Sequence, residues 1–395
     1  MAVEASSQAM MGPQKRQLWS LSGSHMLNDI MTAGIVPALM PLYKEAFDLT
    51  YTQSGTIVLI SYLVSSVMQP VFGLWTDRTP RPWLLPLGVF LTGLGLALSG
   101  FVPSYEWLLV VIALSGLGSG LFHPEASRGA HLAAGGAKGT AQAIFQVGGN
   151  AGQALGPLML PLFVLSTGLP GLIWFLLFGA AGAWLMWRIL PWYRERLNEE
   201  RRTLKEVRGK NRPLGLVFLV LVVLLRSWTQ IGIAGFLPFY YLHHQIPLEI
   251  GEIYTFLFLA AGAVGTFLGG KMSDRISHKW LLFGSMFLTV PFAWLTPLVE
   301  GPAGVVMLII FGFFVLSSFA VTVVYGQRLL PGKVGLVSGL MIGFGVGAGG
   351  IGATFLGWIA DRYGVPFVLE WIFLLPLLGS LLTLFIPDSR KLETA

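Results

Sequence analysis

The chain has 395 residues, of which 54% are hydrophobic and only 11% are charged, and its mean hydropathy is +0.71. Soluble proteins carry about 25% charged residues, so this composition excludes a globular domain with a water-facing surface and indicates an integral membrane protein. The net charge of +6 does not indicate nucleic acid as a partner, because Lys and Arg form no block inside a foldable soluble domain. The absence of cysteine excludes disulfides and cysteine-ligated metals.

Long apolar runs recur along the whole chain, and each is long enough to cross a hydrocarbon core of about 30 Å as a helix. They predict an all-α integral membrane protein with twelve transmembrane helices in contact with lipid. The predicted spans are 18–42, 52–75, 83–102, 106–128, 140–166, 169–190, 213–241, 252–272, 280–299, 303–327, 334–360 and 365–387. The N-terminal residues before the first span lack the pattern of a cleavable signal, so we expect that span to be retained.

The distribution of positive charge predicts how these helices are oriented. With the N-terminus in the cytoplasm, 22 of the 25 Lys and Arg residues lie on the cytoplasmic side. Lys44 and Arg362 then lie outside, and Arg226 lies within a span. Because cytoplasmic loops of membrane proteins are enriched in Lys and Arg, we expect both termini to be cytoplasmic.

The chain is predicted to contain two repeated halves. At an offset of 197 residues, GLWTDRTPRPWLL (73–85) aligns without gaps on GKMSDRISHKWLL (270–282). Parallel repeats of six spans about an axis along the membrane normal are the architecture of the major facilitator superfamily, which is the fold we expect. The predicted N-terminal segment, N-terminal half, cytoplasmic linker, C-terminal half and cytoplasmic tail are residues 1–17, 18–190, 191–212, 213–387 and 388–395.

The first span contains SHMLNDIMTAG, which places His25, Asn28 and Asp29 on about one helical face. An ionisable residue inside a span indicates a functional site, because exposing it to lipid costs several kcal/mol. We therefore expect Asp29 and His25 to take part in proton coupling. The repeat offset also maps Asp29 onto Arg226, and the alternative is a structural Asp29–Arg226 ion pair that holds the halves together.

The loop after the second span resembles the signature Gly-x-x-x-Asp-Arg loop of the superfamily, and the second half repeats it. Glycine permits close helix approach, and an acidic side chain is favourable at a neighbouring helix N-terminus. We predict a conformational latch formed by Gly73, Asp77, Arg78, Gly270, Asp274 and Arg275. The alternative is that these loops only carry positive charge on the cytoplasmic side. A weaker copy of this motif, GWIADRYG (357–364), ends the eleventh span on the other side of the membrane.

The fourth span ends in FHPEASRGAH (122–131), where Pro124 lies between His123 and Glu125. Proline frees a backbone carbonyl and bends the helix, so a cavity could open there. Burial favours the neutral form of Glu125, whereas the nearby Arg128 favours its charged form. Such opposed effects suit a group that exchanges protons. We predict His123 and Glu125 as further proton-coupling residues. The alternative for Glu125 is a structural clasp with Arg128.

The fifth span contains GGNAGQALGP (148–157), with three glycines spaced four residues apart and followed by proline. This run resembles a motif of the superfamily's drug–proton antiporters and favours export. The alternative is a tight helix-packing face, which glycines at this spacing always provide. The eleventh span has a denser counterpart, GFGVGAGGIGA (343–353), which predicts another closely packed or bending helix.

The seventh span supplies Arg226, and Arg128 and Arg328 are matched across the repeat near the cytoplasmic end. Guanidinium groups with few carboxylates nearby favour an anionic substrate. The predicted substrate-binding residues are Arg226, Arg128, Arg328, Asn28, Gln146, Asn150, Trp228 and Tyr240. In the alternative, Asp29 neutralises Arg226 and the substrate is a lipophilic amphiphile. That site would be lined by Trp228, Phe236, Phe239 and Tyr240.

Five motifs together resemble the fosmidomycin resistance family, which are bacterial drug exporters of the major facilitator superfamily. They are SHMLNDI, GLWTDRTPRPW, FHPEASRGA, AIFQVGGNAGQALGP and LLPGKVGLVSGLMIGFGVGAGGIGA. The resemblance runs from the first span to IPDSR near the C-terminus. It implies proton-driven antiport of fosmidomycin, a small phosphonate antibiotic, across the bacterial cytoplasmic (inner) membrane.

Two other functional classes compete with export. An uptake symporter for an organic anion fits the same fold, and the direction of transport would distinguish it. An intramembrane enzyme is disfavoured, because no nucleophile, metal or paired-carboxylate constellation is present. No nucleotide-binding motif occurs, so ATP is not expected as energy source. We expect no cofactor and no metal, a monomer, and a small-molecule substrate with protons as partners.

Overall fold

The structure, a computed structural model, describes residues 14–78, 81–134, 138–200, 211–273, 276–299, 301–330, 337 and 340–388. Within these residues every regular element is a helix, and the helices match the twelve predicted spans in number and order. They are α1 (Lys15–Asp29, a π-helical turn Ile30–Gly34, then Ile35–Ala38 and Met40–Ala46), α2 (Tyr51–Arg78), α3 (Leu84–Leu98), α4 (Tyr105–Leu132), α5 (Lys138–Phe163), α6 (a 3-10 turn Leu169–Trp174, then Phe175–Glu200), α7 (Pro213–His243), α8 (Leu248–Met272), α9 (His278–Leu295), α10 (Gly301–Leu316 and Phe319–Leu329), α11 (a π-helical turn Leu340–Phe344, then Gly345–Tyr363) and α12 (Val365–Thr383).

Seven stretches of the described chain are by themselves long and apolar enough to cross a membrane. They belong to α2, α4, α6, α7, α8, α10 and α12. Helix α3 is shorter, at 15 residues. A π-helical turn interrupts α1, and the described part of α11 begins with one. Many large apolar side chains are exposed on the outside of the bundle, where a membrane protein contacts acyl chains.

The residue at which the linker was predicted to begin lies within a helix. The linker was predicted to begin at residue 191, but α6 continues through Pro191 to Glu200. Tyr193 and Leu197, one helical turn apart, are both buried. The end of an apolar run marks where a helix leaves the membrane, whereas the helix itself continues as long as one face stays buried.

The two ends of the bundle are named here by their residues. The terminal face is the end at which α1 begins at Lys15 and α12 ends at Thr383, and the distal face is the end at which α1 ends and α2 begins at Tyr51. Within the halves, α1 packs on α5, and α7 packs on α11 and α12. The main contacts between the halves are those of α2 with α11 and of α5 with α8.

Helix α11 is closely packed on two sides, as its glycine run predicts. Gly350 lies against Leu59 of α2, and Gly352 lies against Trp228 of α7. A Cβ at either position would be too close to these neighbours. Small residues let helix backbones approach where lipid provides no hydrophobic drive for association. The glycines therefore allow one helix to join the second half to the first.

Candidate functional site

Three ionisable side chains from α1 and α4 meet inside the N-terminal half, and we call His25, Asp29 and His123 the Asp29 cluster. His25 Nε2 lies 3.3 Å from Asp29 Oδ2, and His123 Nε2 lies 3.3 Å from Asp29 Oδ1. The side chains are 3%, 14% and 18% exposed for His25, Asp29 and His123. The sequence predicted all three as proton-coupling residues from two separate motifs, and the structure brings them into one site.

The other ring nitrogen of each histidine contacts a backbone carbonyl. His25 Nδ1 lies 2.9 Å from the carbonyl oxygen of Phe145, and His123 Nδ1 lies 2.9 Å from that of Ser119. A carbonyl oxygen only accepts hydrogen bonds, so both Nδ1 atoms are assigned a proton. Each Nε2 then faces a carboxylate oxygen, and a favourable contact there requires a second proton. The geometry of the cluster is that of a site that holds exchangeable protons.

Asn28 fixes the position of the Asp29 carboxylate. Its amide nitrogen donates to Asp29 Oδ1 at 3.1 Å and to Ser119 Oγ at 3.2 Å. Its amide oxygen accepts a hydrogen bond from Thr92 Oγ1 at 3.0 Å. Asn28 is fully buried, and these bonds join α1 to α3 and α4. Asn28 was predicted to bind substrate, but in this structure its partners are protein groups.

The glycine run of α5 lies directly against the cluster. Gly148, Gly152 and Gly156 face the backbone of α1 at Ser22, Met26 and Gly34, which is the packing face proposed as the alternative for this motif. Gly149 lies beside the ring of His25 and the carboxylate of Asp29, where a Cβ would be 2.9 Å from Asp29 Oδ2. The close approach of α5 therefore closes the cluster on one side.

A cavity of about 50 Å³ lies beside the cluster at the contact between the halves. Asp29 and His123 form part of its wall, with Tyr62 and Gln69 from α2 and Val346 from α11. This volume has room for water molecules but not for a drug-sized ligand. In this conformation the cavity can supply water to the cluster.

Arg226 is buried in the C-terminal half, with 1% of its surface exposed. Its Nη1 donates to Thr322 Oγ1 at 3.4 Å, and its guanidinium carbon lies 4.7 Å from the ring centre of Phe319. Its Nε has no hydrogen-bond partner. Among the described residues no carboxylate forms an ion pair with it. The alternative Asp29–Arg226 ion pair is thus not formed here, because Asp29 pairs with two histidines.

Glu125 lies outside the Asp29 cluster, two residues after His123 and on another side of α4. It is 1% exposed, accepts a hydrogen bond from the Tyr193 hydroxyl at 2.7 Å, and lies 3.4 Å from Arg128 Nη1. These contacts tie α4 to α6 close to the terminal face. The geometry favours the clasp that was the alternative for Glu125 and Arg128.

The remaining predicted substrate residues lie on α5, α7 and α10. Gln146 and Asn150 are partly exposed on α5, and Arg328 lies near the terminal end of α10. Trp228 donates its indole N–H to the Ala348 carbonyl at 2.6 Å, which fastens α7 to α11. Tyr240 lies on the same helix as Arg226 but fourteen residues away, which is about 21 Å of helix rise. Phe236 and Phe239 belong to the buried core rather than to an open amphiphile site.

Most of the predicted latch lies outside the described residues. Asp274 and Arg275 lie outside the described residues, as do the side chains of Asp77 and Arg78. Gly73 belongs to α2, and its packing is likewise outside the description. Gly270 has Ala320 of α10 as its nearest neighbour, with ordinary van der Waals spacing for a Cβ.

A contact between the halves that the sequence did not assign lies at the distal face. Asp361 of α11 accepts hydrogen bonds from the backbone N–H groups of Tyr51 at 2.7 Å and Thr52 at 2.9 Å, and from the Thr52 hydroxyl. The first N–H groups of a helix have no partner within the helix, so Asp361 caps α2 across the two halves. The sequence pointed to this position only through GWIADRYG, the weaker copy of the signature motif, which contains Asp361.

Gln153 of α5 and Gln230 of α7 form a further bond between the halves, at 2.8 Å and near mid-depth. Where both partners are described, the hydrogen bonds between the halves lie at mid-depth or at the distal face. The hydrogen bonds whose two partners are both described therefore join the halves through the distal part of the bundle.

The Asp29 cluster also has the composition of a metal site. One ligand atom from each of its three residues lies within 4.8 Å of the other two, and imidazole and carboxylate are ligands that Zn²⁺ accepts. A proton in each histidine–aspartate contact satisfies the same atoms, so the geometry does not require a metal.

Comparison with known proteins identifies the family. The family model described as Major Facilitator Superfamily matches residues 21–352. The chain is 38% identical to the "Fosmidomycin resistance protein" of Escherichia coli (strain K12), an alignment that covers 94% of this chain and 93% of that protein. It is also 38% identical to the "Uncharacterized MFS-type transporter YfnC" of Bacillus subtilis (strain 168), over 93% of this chain and 92% of the relative.

A more distant relative and a solved structure extend these findings. The "Probable sulfoacetate transporter SauU" of Cupriavidus necator is 27% identical over 88% of this chain and 87% of its own length. A crystal structure of a bacterial homolog of the human lysosomal transporter Spinster, inward-facing and unoccupied, superposes with a TM-score of 0.74. It covers 96% of this chain and 98% of that one at 17% identity, so it shows the fold alone. The chain therefore belongs to the major facilitator superfamily, as a multi-pass membrane transporter of the fosmidomycin resistance type and not an enzyme.

Proposed function

We propose that this transporter exports a small anionic compound, of the phosphonate class, in exchange for protons by alternating access. The observation that carries the proposal is Arg226, a buried guanidinium that has no ion-pair partner in the described part of the chain. A buried charge is costly unless it is paired. An anionic substrate would supply the missing charge in one state of the transport cycle.

The chemistry of Arg226 favours an oxyanion over a cation. A guanidinium forms paired hydrogen bonds to phosphonate, sulfonate or carboxylate oxygens, whereas it would repel a lipophilic cation. The names of two relatives refer to fosmidomycin and to sulfoacetate, one a phosphonate and the other a sulfonate. Both support a small oxyanion as the substrate class.

Protons are proposed to bind at the Asp29 cluster. Its histidines face Asp29 through Nε2, so loss of a proton would remove the attraction within the cluster. The cluster lies on α1 and α4, beside a cavity that is also lined by α2 of the same half and by α11 of the other half. A change in its protonation would therefore act where the halves meet. Glu125, which is bonded to Tyr193 and faces Arg128, is proposed to act as a structural clasp instead.

Alternating access is proposed to depend on contacts that form at one face at a time. The Asp361 cap and the Gln153–Gln230 bond hold the halves together in the distal part. If the terminal face is cytoplasmic, as the charge distribution predicts, this conformation is closed to the outside. The Gly73, Asp77 and Arg78 loop and its repeat are proposed to close the terminal face in the opposite state.

The test of the substrate site is transport by purified protein in liposomes under an imposed pH gradient. We expect fosmidomycin movement to require Arg226: Arg226→Ala should lose it, and Arg226→Lys should restore little, because an ammonium cannot form the paired bonds. Arg194→Ala, an exposed arginine on α6, is the matched control. Full transport by Arg226→Ala at equal protein content would place the anion site elsewhere.

The same liposomes separate export from uptake. Exchange predicts that substrate moves against the direction of proton flow, whereas a symporter for an organic anion moves both in one direction.

The same assay tests for a metal: transport should survive treatment with a chelator, since protons satisfy the Asp29 cluster. Loss of transport on chelation, with recovery on adding Zn²⁺, would instead assign the cluster to a metal.

A further inference from the structure

A second cavity lies away from the transport site, at the terminal face between the beginning of α1 and the later part of α6. Its volume is about 290 Å³, several times that of the cavity beside Asp29. It is lined by the polar residues Arg16, Gln17, Ser20, Arg188 and Trp192 and by the apolar residues Leu185, Ile189 and Pro191. The proposed transport mechanism uses none of these residues.

Among the described residues that line it, the cavity has hydrogen-bond donors and positive charge but no carboxylate. In the described part of the chain neither Arg16 nor Arg188 has an ion-pair partner. The indole Nε1 of Trp192 is buried and has no hydrogen-bond partner among the described residues. A group with two guanidiniums and an unused N–H donor fits a ligand whose oxygens only accept hydrogen bonds, such as a phosphate diester.

Aromatic residues show at what depth the cavity opens. Trp19, Trp184 and Trp187 are 62%, 56% and 67% exposed, and all three lie on the same stretches of α1 and α6 as the cavity. The Arg188 guanidinium lies 5.0 Å from the ring centre of Trp184. Exposed tryptophans gather at the level of lipid headgroups. The cavity therefore opens towards headgroups rather than towards bulk water.

We propose that this cavity binds the phosphate of an anionic glycerophospholipid, of the phosphatidylglycerol type. Arg16 and Arg188 would hold the phosphate oxygens, and Trp192 would donate its free N–H. Gln17 and Ser20 would contact the glycerol headgroup, and the acyl chains would follow the apolar exterior of α1 and α6. Basic cavities between membrane helices recognise anionic headgroups by this chemistry.

The experiment is native mass spectrometry of the full chain, titrated in detergent with phosphatidylglycerol or phosphatidylcholine. For the unmodified protein we expect one phosphatidylglycerol to be retained about fivefold more strongly than phosphatidylcholine. The double variant Arg16→Gln/Arg188→Gln should bind both lipids equally. Trp192→Phe, which removes only the indole N–H, should reduce the preference by about half. The control Arg194→Gln removes a charge from the same helix outside the cavity and should retain the preference.

Two outcomes would overturn the proposal. One is equal retention of both lipids by the unmodified protein, which needs no variant and so does not depend on how variants fold. The other is displacement of the lipid by millimolar inorganic phosphate, with the same thermal stabilisation from phosphate alone. That result would assign the cavity to a soluble phosphate instead of a membrane lipid. Neither outcome bears on the Arg226 or Asp29 variants, so the proposed transport function is tested separately.

Discussion

At the scale of single residues, the hydrogen bonds of His25 and His123 decide what the Asp29 cluster can do. Each ring donates through Nδ1 to a carbonyl oxygen and directs Nε2 at the carboxylate. An imidazole ring held in this way cannot flip to direct Nε2 away from the aspartate. Its remaining freedom is to gain or lose the Nε2 proton, which is the step that coupling requires.

We predict that Asp29→Asn uncouples the transporter without unfolding it. An amide has the shape of a carboxylic acid but cannot release a proton, so accumulation driven by a pH gradient should fall by about tenfold or more. Substrate exchange between equal concentrations on both sides, which needs no net proton movement, should continue. Normal gradient-driven accumulation by Asp29→Asn would remove the cluster from the coupling mechanism.

Glu125 gives a contrasting prediction because its carboxylate already has Tyr193 and Arg128 as partners. Glu125→Gln keeps the Tyr193 bond and loses the charge opposite Arg128, so we expect coupled transport to persist with stability lowered by about 1–3 kcal/mol. Thermal unfolding and gradient-driven uptake measured on one preparation distinguish the two roles. Loss of coupling with unchanged stability would return Glu125 to the proton pathway.

At the scale of elements, the approach of α5 to α1 positions the cluster. Gly149→Ala would put a methyl group against the His25 ring and the Asp29 carboxylate, so we expect misplacement of both and a cost of about 1–3 kcal/mol. Gly284→Ala is the matched control, since a Cβ there meets nothing within 4 Å. Transport and melting temperature should fall for the first variant only. Wild-type behaviour of Gly149→Ala would mean that the helices separate easily at this point.

The contact of α11 with α2 predicts a shift between conformations. Asp361→Ala removes the cap from α2, and caps contribute about 0.5–2 kcal/mol, so the distal face should open in a larger share of molecules. Because the native chain has no cysteine, single cysteines placed between the halves report this opening by their labelling rate. Glu106→Ala, at the same face but bonded only to Ser104 among the described residues, is the control. Equal labelling in Asp361→Ala and Glu106→Ala would show that the cap does not hold the face closed.

At the scale of the whole molecule, the charge distribution predicts which face meets the cytoplasm. Cysteines replacing Lys15 at the terminal face and Glu106 at the distal face should react with a membrane-impermeant reagent from opposite sides of the membrane. We expect Glu106→Cys to be labelled in intact cells and Lys15→Cys only in inverted vesicles. The reverse pattern would invert the direction of every step proposed above.

The sequence by itself determined the number and order of the helices, the two halves and the presence of an acid in the first span. These properties follow from hydropathy and repetition, which can be read along the chain without knowledge of packing. It also identified His123, Arg226 and the motif GWIADRYG, which contains Asp361, as unusual, but it did not identify their partners. Only the tertiary structure joined His123 to Asp29, paired no described acid with Arg226 and placed Asp361 on the N-terminus of α2. The reason is physical: these contacts depend on how each helix is rotated and how closely glycines let it approach its neighbours, and both are set by packing between distant segments.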